Sequence, residues 1–332
     1  MIDFTVAICT YNGAKRLPEV LEGLRSQTGT ENIAWEVIIV DNNSTDDTRQ
    51  VIQSYQSQWL ADCPLRYAFE PEQGAAYARL RAAKEAHGSL IGFLDDDTVP
   101  TNHWITAACA FAQVHPQAGA YGSQIHGDFE VEPSEELKQV AFFLAVIERG
   151  DEPFLYERKK RILPPSAGLV VRRHAWCESV PNRPFLTGRT AKSMLTSEDL
   201  EALVYIQNAG WQIWYNPAME IHHKIPHWRM EREYLLSLVR GIGLARHHIR
   251  MIRLTPWLRP LMFPLYWVND VRKAMVHFLR YREQLERNLP AACEMEFLWS
   301  TLLSPFYLCG KYFSQALVPP TPSEPTSENL AI

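Results

Sequence analysis

The chain has 332 residues, 46% of them apolar and 21% charged, which excludes a disordered or fibrous protein and allows one large domain or two. Its net charge of −5 argues against a dedicated nucleic-acid binder, yet residues 226–290 carry 12 Lys and Arg against 5 Asp and Glu, so a basic module follows an acidic body. Six scattered cysteines, with no CxxC pair and no His/Cys cluster at zinc spacing, fit a reducing cytoplasm better than a disulfide framework, and the first residues lack the basic segment of a signal peptide.

Residues 4–9 form a β-type run, followed by a loop at Thr10-Tyr11-Asn12-Gly13. Leu17, Val20, Leu21 and Leu24 recur at helical spacing. A second strand over residues 35–40 ends in Asp41-Asn42-Asn43-Ser44-Thr45-Asp46-Asp47, which supplies a turn and a cap for a helix through Val51 and Tyr55. A third strand is predicted over residues 65–69, and Gly74 opens an alanine-rich helix over 75–86. The fourth strand, residues 90–94, runs into Asp95-Asp96-Asp97 and is expected to stop at Pro100. Strands alternating with helices, each strand a nearly continuous apolar run, predict a parallel sheet covered on both faces. Ligands bind such sheets at the carboxyl ends of the strands, where Thr10, Asp41 and Asp95 all fall.

Beyond residue 100 the pattern is mixed. Helices are predicted over 104–114, 133–149 and 200–207, strand character over 119–131, and short strands over 169–171 and 211–215, the last left at Asn216-Pro217. Residues 229–252 predict a long Arg-rich helix. The apolar segments 254–268 and 297–310 contain prolines and fall short of the roughly 20 residues a membrane span needs. They read either as interfacial segments attracted to anionic lipid or as a helical subdomain packed on the core. Residues 317–332 read as a disordered tail.

Three consecutive carboxylates at a strand mouth repel one another unless a cation lies among them; otherwise they are a solvated acidic turn. Oxygen ligands favour Mg²⁺ or Mn²⁺ shared with substrate phosphates, which points to an enzyme acting on a phosphorylated donor.

Six segments in order carry a family resemblance: Val6 to Asn12, Val40 to Asp46, Gly74 to Arg79, Phe93 to Asp97, Ser197-Glu198-Asp199, and Pro217 to His223. Over about residues 1–228 the chain resembles the inverting family 2 glycosyltransferases of the GT-A fold, with a look close to cyanobacterial exopolysaccharide and hormogonium polysaccharide enzymes. The resemblance implies a Rossmann-like α/β domain over residues 1–225, followed by a basic, partly apolar helical region over 226–316. It implies transfer from a nucleotide sugar, expected to be a UDP-sugar, to a saccharide or lipid-linked hydroxyl acceptor, with Mn²⁺ or Mg²⁺ as cofactor and no nucleic-acid partner. The expected location is the cytoplasm, peripheral on the inner membrane face through an anionic lipid surface.

The same resemblance assigns roles. Thr10, Asn12, Asp41, Arg79, Asp95 and Asp96 would bind the nucleotide sugar, with Asp41 at the base and Asp95 at the ribose. Asn42 stands where many relatives have a second acid. Asp97 and His223 would hold the metal, and an imidazole ligand tilts the choice towards Mn²⁺. Asp199 would be the general base, with Glu198 beside it. Gly168 and Arg189 lie in segments expected to shape the sugar and acceptor site. Two other readings share the acids. One is a nucleotidyltransferase, which should show a glycine-rich phosphate loop where this chain has a single glycine at Gly13. The other is a non-catalytic component of a polysaccharide assembly complex.

Overall fold

The computed structural model describes residues 2–160, 162–190 and 193–316, with side chains to residue 310. The expected tail, 317–332, lies outside the described residues. In the first part of the chain, β1 (Phe4–Thr10), α1 (Leu17–Arg25), β2 (Trp35–Asp41), α2 (Thr48–Gln56), β3 (Leu65–Phe69), α3 (Ala75–Glu85) and β4 (Leu90–Asp95) alternate as predicted. The strands pair in parallel in the order β3-β2-β1-β4. β2 is buried along its whole length and β1 along most of it, which is why their sequences do not alternate in polarity. At Gly92 of β4 a Cβ would lie 2.5 Å from the Trp104 ring, and Trp104 meets Phe4 edge-to-face with centroids 5.7 Å apart. Only glycine lets that aromatic pair close over the sheet.

The middle of the chain adds β5 (Thr98–Pro100), α4 (Trp104–Val114), β6 (Ala118–Phe129), α5 (Glu135–Val140), β7 (Phe154–Leu155), β8 (Leu169–Arg172), α6 (Arg173–Ser179), α7 (Glu198–Asn208) and β9 (Gln212–Ile225). Here the sheet departs from the all-parallel expectation. β8 runs antiparallel to β4 and β6, β9 is parallel to β6, and β5 pairs antiparallel with β9. The chain therefore forms one mixed α/β sheet.

Three local expectations are corrected. The strand predicted to leave the sheet at Asn216-Pro217 continues to Ile225, because the register against β6 shifts there and the bulge accommodates the proline. The strand expected to stop at Pro100 ends earlier, at Asp95, and after a turn at Asp96-Asp97 a new strand, β5, takes in Pro100 itself. The helix expected over 133–149 is only α5 and a 3-10 turn at Ala141–Leu144. Ala145 then turns left-handed at φ 61°, and Ile147 exchanges hydrogen bonds with Ile125, so sheet pairing overrides the helical pattern.

The last part comprises 3-10 turns at His227–Met230 and Pro256–Leu258 and three helices, α8 (Arg232–Ile252), α9 (Arg259–Tyr281) and α10 (Leu289–Ala316). α8 crosses α10 closely at Gly243, where a Cβ would overlap Ser300 Oγ. Among the described residues no helix is long and apolar enough to cross a membrane.

Candidate active site

Thr10 lies beside Asp41 and Cys9 beside Asp95 in the parallel register, so three polar strand ends open on one crevice. Each is held by backbone or side-chain donors. Asp41 accepts from the Ser44 amide (2.9 Å) and the Tyr67 hydroxyl (3.1 Å). Asn12, with φ 50°, accepts from the Thr45 amide at 2.8 Å while its own amide donates to Ser44 Oγ. These bonds lock the loop after β1 to the loop after β2. Asn42, in the place of a second acid, donates to the Glu70 and Glu72 carbonyls and accepts from the Gly74 amide, which fixes the entry to α3.

The three consecutive acids face three different partners. Asp96 is buried between Arg16, which donates twice at 2.8 Å, and Thr10 Oγ1 at 2.6 Å. Burial raises its pKa and these donors oppose the rise. The structure thus gives the Asp96 carboxylate a protein-bound position against the β1 loop. Asp97 points the other way because β5 pairs with β9 and sets Thr98 opposite His223. Its carboxylate lies 3.7 Å from His223 Nε2 and 2.8 Å from Arg229 Nη1. Burial works against its charge, but His223 and Arg229 hold Asp97 well below the usual carboxylate range. Asp95 keeps 36% of its side chain exposed at the crevice and reaches Arg79 at 3.3 Å.

Arg79 is the hub. It is 5% exposed and donates to Glu198 (2.8 Å), Ser166 Oγ (2.7 Å) and Asp95 (3.3 Å). Burial disfavours its charge, but Glu198 and Asp95 more than compensate and keep the guanidinium ionised. One side chain therefore ties the acidic strand end to the first turn of α7. Ser197 enters that turn at φ 77°, a strained left-handed conformation for a residue with a side chain. Asp199 is half-buried and accepts from the Ser166 amide (3.0 Å) and the Leu200 amide (2.7 Å). Burial, then the Glu198 charge, push its carboxyl up to about 6 against the pull of Arg79. Such a group is ionised near neutrality and still basic enough to accept a proton. Arg189 donates to the Tyr234 hydroxyl at 3.0 Å, and the Gly168 carbonyl accepts from Ser123 Oγ at 2.6 Å.

Could Asp97 and His223 hold a divalent cation? Ligand atoms 3.7 Å apart can share one ion at bonds of about 2.1 Å. The buried Nδ1 of His223 has no hydrogen-bond partner among the described residues. No cluster of three or more His, Cys, Asp or Glu suited to a metal occurs among the described residues. Two protein ligands would leave the other positions of an ion to phosphate oxygens, as Mg²⁺ sites commonly do. Arg229 Nη1 also lies 3.3 Å from His223 Nε2, so its guanidinium now stands against both ligands.

Sequence reasoning missed Arg16, Ser166 and Arg229. Arg16 and Arg229 each lie six residues after a recognised motif residue, Thr10 and His223, but no spacing rule pairs either with an acid. Ser166 sits in a proline-rich loop with no signature.

The profile of glycosyl transferase family 2 matches residues 5–177. Glycosyltransferase AglE of Haloferax volcanii is 30% identical over 102 residues, covering 30% of this chain and 32% of that protein. Poly(ribitol-phosphate) beta-N-acetylglucosaminyltransferase TarS of Staphylococcus aureus is 30% identical over 115 residues, covering 35% of this chain and 20% of that one. The alignments thus reach only about a third and a fifth of the lengths of these curated relatives. The mannosyltransferase PcManGT of Pyrobaculum calidifontis, solved with GDP-Man and Mn²⁺, superposes with a TM-score of 0.56 at 17% identity, covering 92% of this chain and 87% of that one.

Proposed function

The chain belongs to glycosyl transferase family 2, and from that premise we propose that it moves a sugar from a nucleoside-diphosphate donor to a hydroxyl acceptor, with inversion at the anomeric carbon. The observation that carries the reading is Asp199. It is a half-buried carboxylate pushed up to about 6, and Arg79 links its neighbour Glu198 to the end of the acidic run.

Asp199 takes the proton from the acceptor hydroxyl as its oxygen attacks the anomeric carbon. The carbon–oxygen bond to the diphosphate breaks on the opposite side, so no covalent enzyme intermediate forms. Asp41 receives the base of the nucleotide, a uracil in the preferred reading, and Thr10 and Asn12 shape the loop under it. Asp95, the most open of the three acids, meets the ribose. Asp97 and His223 would hold a divalent ion, which when bound would neutralise charge on the departing diphosphate. Arg229, already against Asp97, adds a second positive group on that side. Glu198 and Arg79 position the base rather than react.

Residues 1–225 form the catalytic part in this reading, and 226–316 place it against an anionic membrane surface at which a saccharide or lipid-linked acceptor is extended. A role in exopolysaccharide assembly is the biological setting we favour.

The test is donor turnover, with and without added acceptor. Asp199→Asn should lower transfer by about 10²–10⁴-fold with donor binding retained. Asp97→Ala should weaken Mn²⁺-dependent binding of UDP as well as turnover. Wild-type rates in both variants would sink the assignment.

A further inference from the structure

Away from these acids, a cavity of about 660 Å³ opens between α8, α9 and α10. That volume is typical of sites that take a small organic ligand. Of the residues that line it only Arg232 and Glu296 carry charge. Glu296 is already paired with Arg240 at 2.6 Å. Arg232 donates to the Leu285 carbonyl and has no ion-pair partner among the described residues. The cavity is thus an apolar chamber with one uncompensated positive group in its wall.

Two observations say what fills it. The first is that α9 is built inside out. Its buried positions are Asp270, Ala274 and His277, with Asp270 bound to Arg250 and His277 Nε2 bonded to the Ala291 carbonyl at 2.9 Å. Its outward stripe is Leu261, Leu265, Val268, Met275, Val276 and Leu279, at helical spacing and all more than half exposed. The positive side chains Arg259, Arg272, Lys273 and Arg280 accompany it, and the one acid of the helix is Asp270 on the buried side. Apolar surface accompanied by cations suits an amphiphile with a negative head. Met275 belongs to both the stripe and the cavity wall, so chamber and stripe are continuous.

The second observation is position. Arg232 follows Arg229 by three residues, at most about 11 Å of chain, and Arg229 touches Asp97. Two residues on, Tyr234 binds Arg189. A head group at Arg232 would therefore lie near the reaction crevice while its chain ran into the cavity.

We propose that this cavity binds the hydrocarbon chain of an anionic amphiphile, with Arg232 at the charged head. Resting on the sugar-transfer reading above, that amphiphile is the acceptor.

The experiment is calorimetric titration of the full chain with dodecyl phosphate below its micelle concentration, against dodecanol and inorganic phosphate. Dodecyl phosphate should bind saturably and at least tenfold more tightly than either control. Arg232→Gln should weaken dodecyl phosphate about tenfold and leave dodecanol unchanged. Ala292→Phe, which fills the chamber, should remove binding. Met275→Trp at the exposed rim is a second blocking variant in case Ala292→Phe does not fold. Leu265→Glu, on the stripe but outside the chamber, should bind like wild type. No saturable binding, or equal binding by both blocked variants, overturns the proposal. So does binding that emerges only when residues 317–332 are deleted, which would make the tail the occupant. Self-association abolished by Met275→Trp, without amphiphile binding, would instead make a second copy the occupant. Donor hydrolysis without acceptor tests the catalytic reading separately, so the two can fail independently.

Discussion

The catalytic sheet and helix α9 treat polarity in opposite ways. Around the sheet, leucine and isoleucine point inward, and carboxylates that enter the interior are met by cations or backbone and hydroxyl donors: Arg16 on Asp96, Arg79 on Glu198 and Asp95, Arg229 on Asp97, the Ser44 amide and Tyr67 hydroxyl on Asp41. In α9 the paired charges face inward and the leucines face out. A folded chain gains nothing from an outward leucine, whereas a buried Leu or Ile side chain contributes about 1.5–3 kcal/mol. The first arrangement is explained by folding and catalysis within this chain. The second suits the bound amphiphile proposed above.

That contrast predicts where substitutions hurt. Arg79→Met keeps the bulk of the side chain but leaves Glu198, buried, and Asp95 without their cation. Loss of one partner of a buried pair costs roughly 3–5 kcal/mol, so urea denaturation should show a fall of that size together with loss of transfer. Ile38→Ala, at a fully buried position of β2, should cost about 2–5 kcal/mol. A mild effect at Arg79 would mean that the acids are held by the crevice itself.

Asp199 gives the next largest effect, and it depends on pH. Its carboxyl is raised to about 6 in the folded chain, above its ordinary value of about 4. Ionising it therefore opposes folding. Its contribution to stability is fully present below pH 4 and is lost as pH rises through 6. Relative to Asp199→Asn, the wild type should lose up to about 3 kcal/mol between pH 4 and pH 7, a shift of two units at roughly 1.4 kcal/mol each. Transfer should move oppositely, falling below about pH 6 as the base becomes protonated. Parallel pH profiles of stability for the two proteins would remove Asp199 as a strained base.

Much of the sheet region was legible because its signals are local. Continuous apolar runs gave the parallel strands, and the helices at Leu17, Ala75 and Trp104 begin where their spacing says. What the sequence hid depends on pairing between distant segments. Nothing in residues 98–100 announces a strand, yet β5 brings Asp97 to His223. Pro217 reads as a terminator until a bulge opposite Ser123 absorbs it. The sequence separates Asp95 for the ribose from Asp97 for the metal, but the arginine partners of the run, Arg16, Arg79 and Arg229, come only from the fold. In the extension a helical region was expected, but the prolines masked the bounds of its two long helices, because Pro260 sits in the first turn of α9, where its missing amide costs nothing, while Pro264 and Pro305 lie within helices that continue past them.

Arg229 sharpens the comparison at the metal pair. Its guanidinium meets both Asp97 and His223, so it competes with any cation shared by those two ligands. Arg229→Ala should tighten Mn²⁺ binding to the donor-free protein by about tenfold, or roughly 1.4 kcal/mol, read by titration with the metal alone. The same variant should bind UDP more weakly. Unchanged metal affinity would mean that the ion, if it binds, does so elsewhere.

The smallest expected effect on the fold tests the other side of the contrast. Leu265 is 63% exposed in the outward stripe of α9. A surface substitution away from buried features usually changes stability by within about 0.5 kcal/mol, so Leu265→Ser should melt with the wild type. Flotation with phosphatidylglycerol vesicles at low salt should nevertheless fall for this variant, and further for Leu265→Ser combined with Leu279→Ser. Added salt should weaken the wild type in the same assay, because the cations of α9 act only within about 10 Å at 0.1 M. If the double variant loses stability instead and keeps its vesicle binding, the leucines pack within this chain, and α9 obeys the same rule as the sheet.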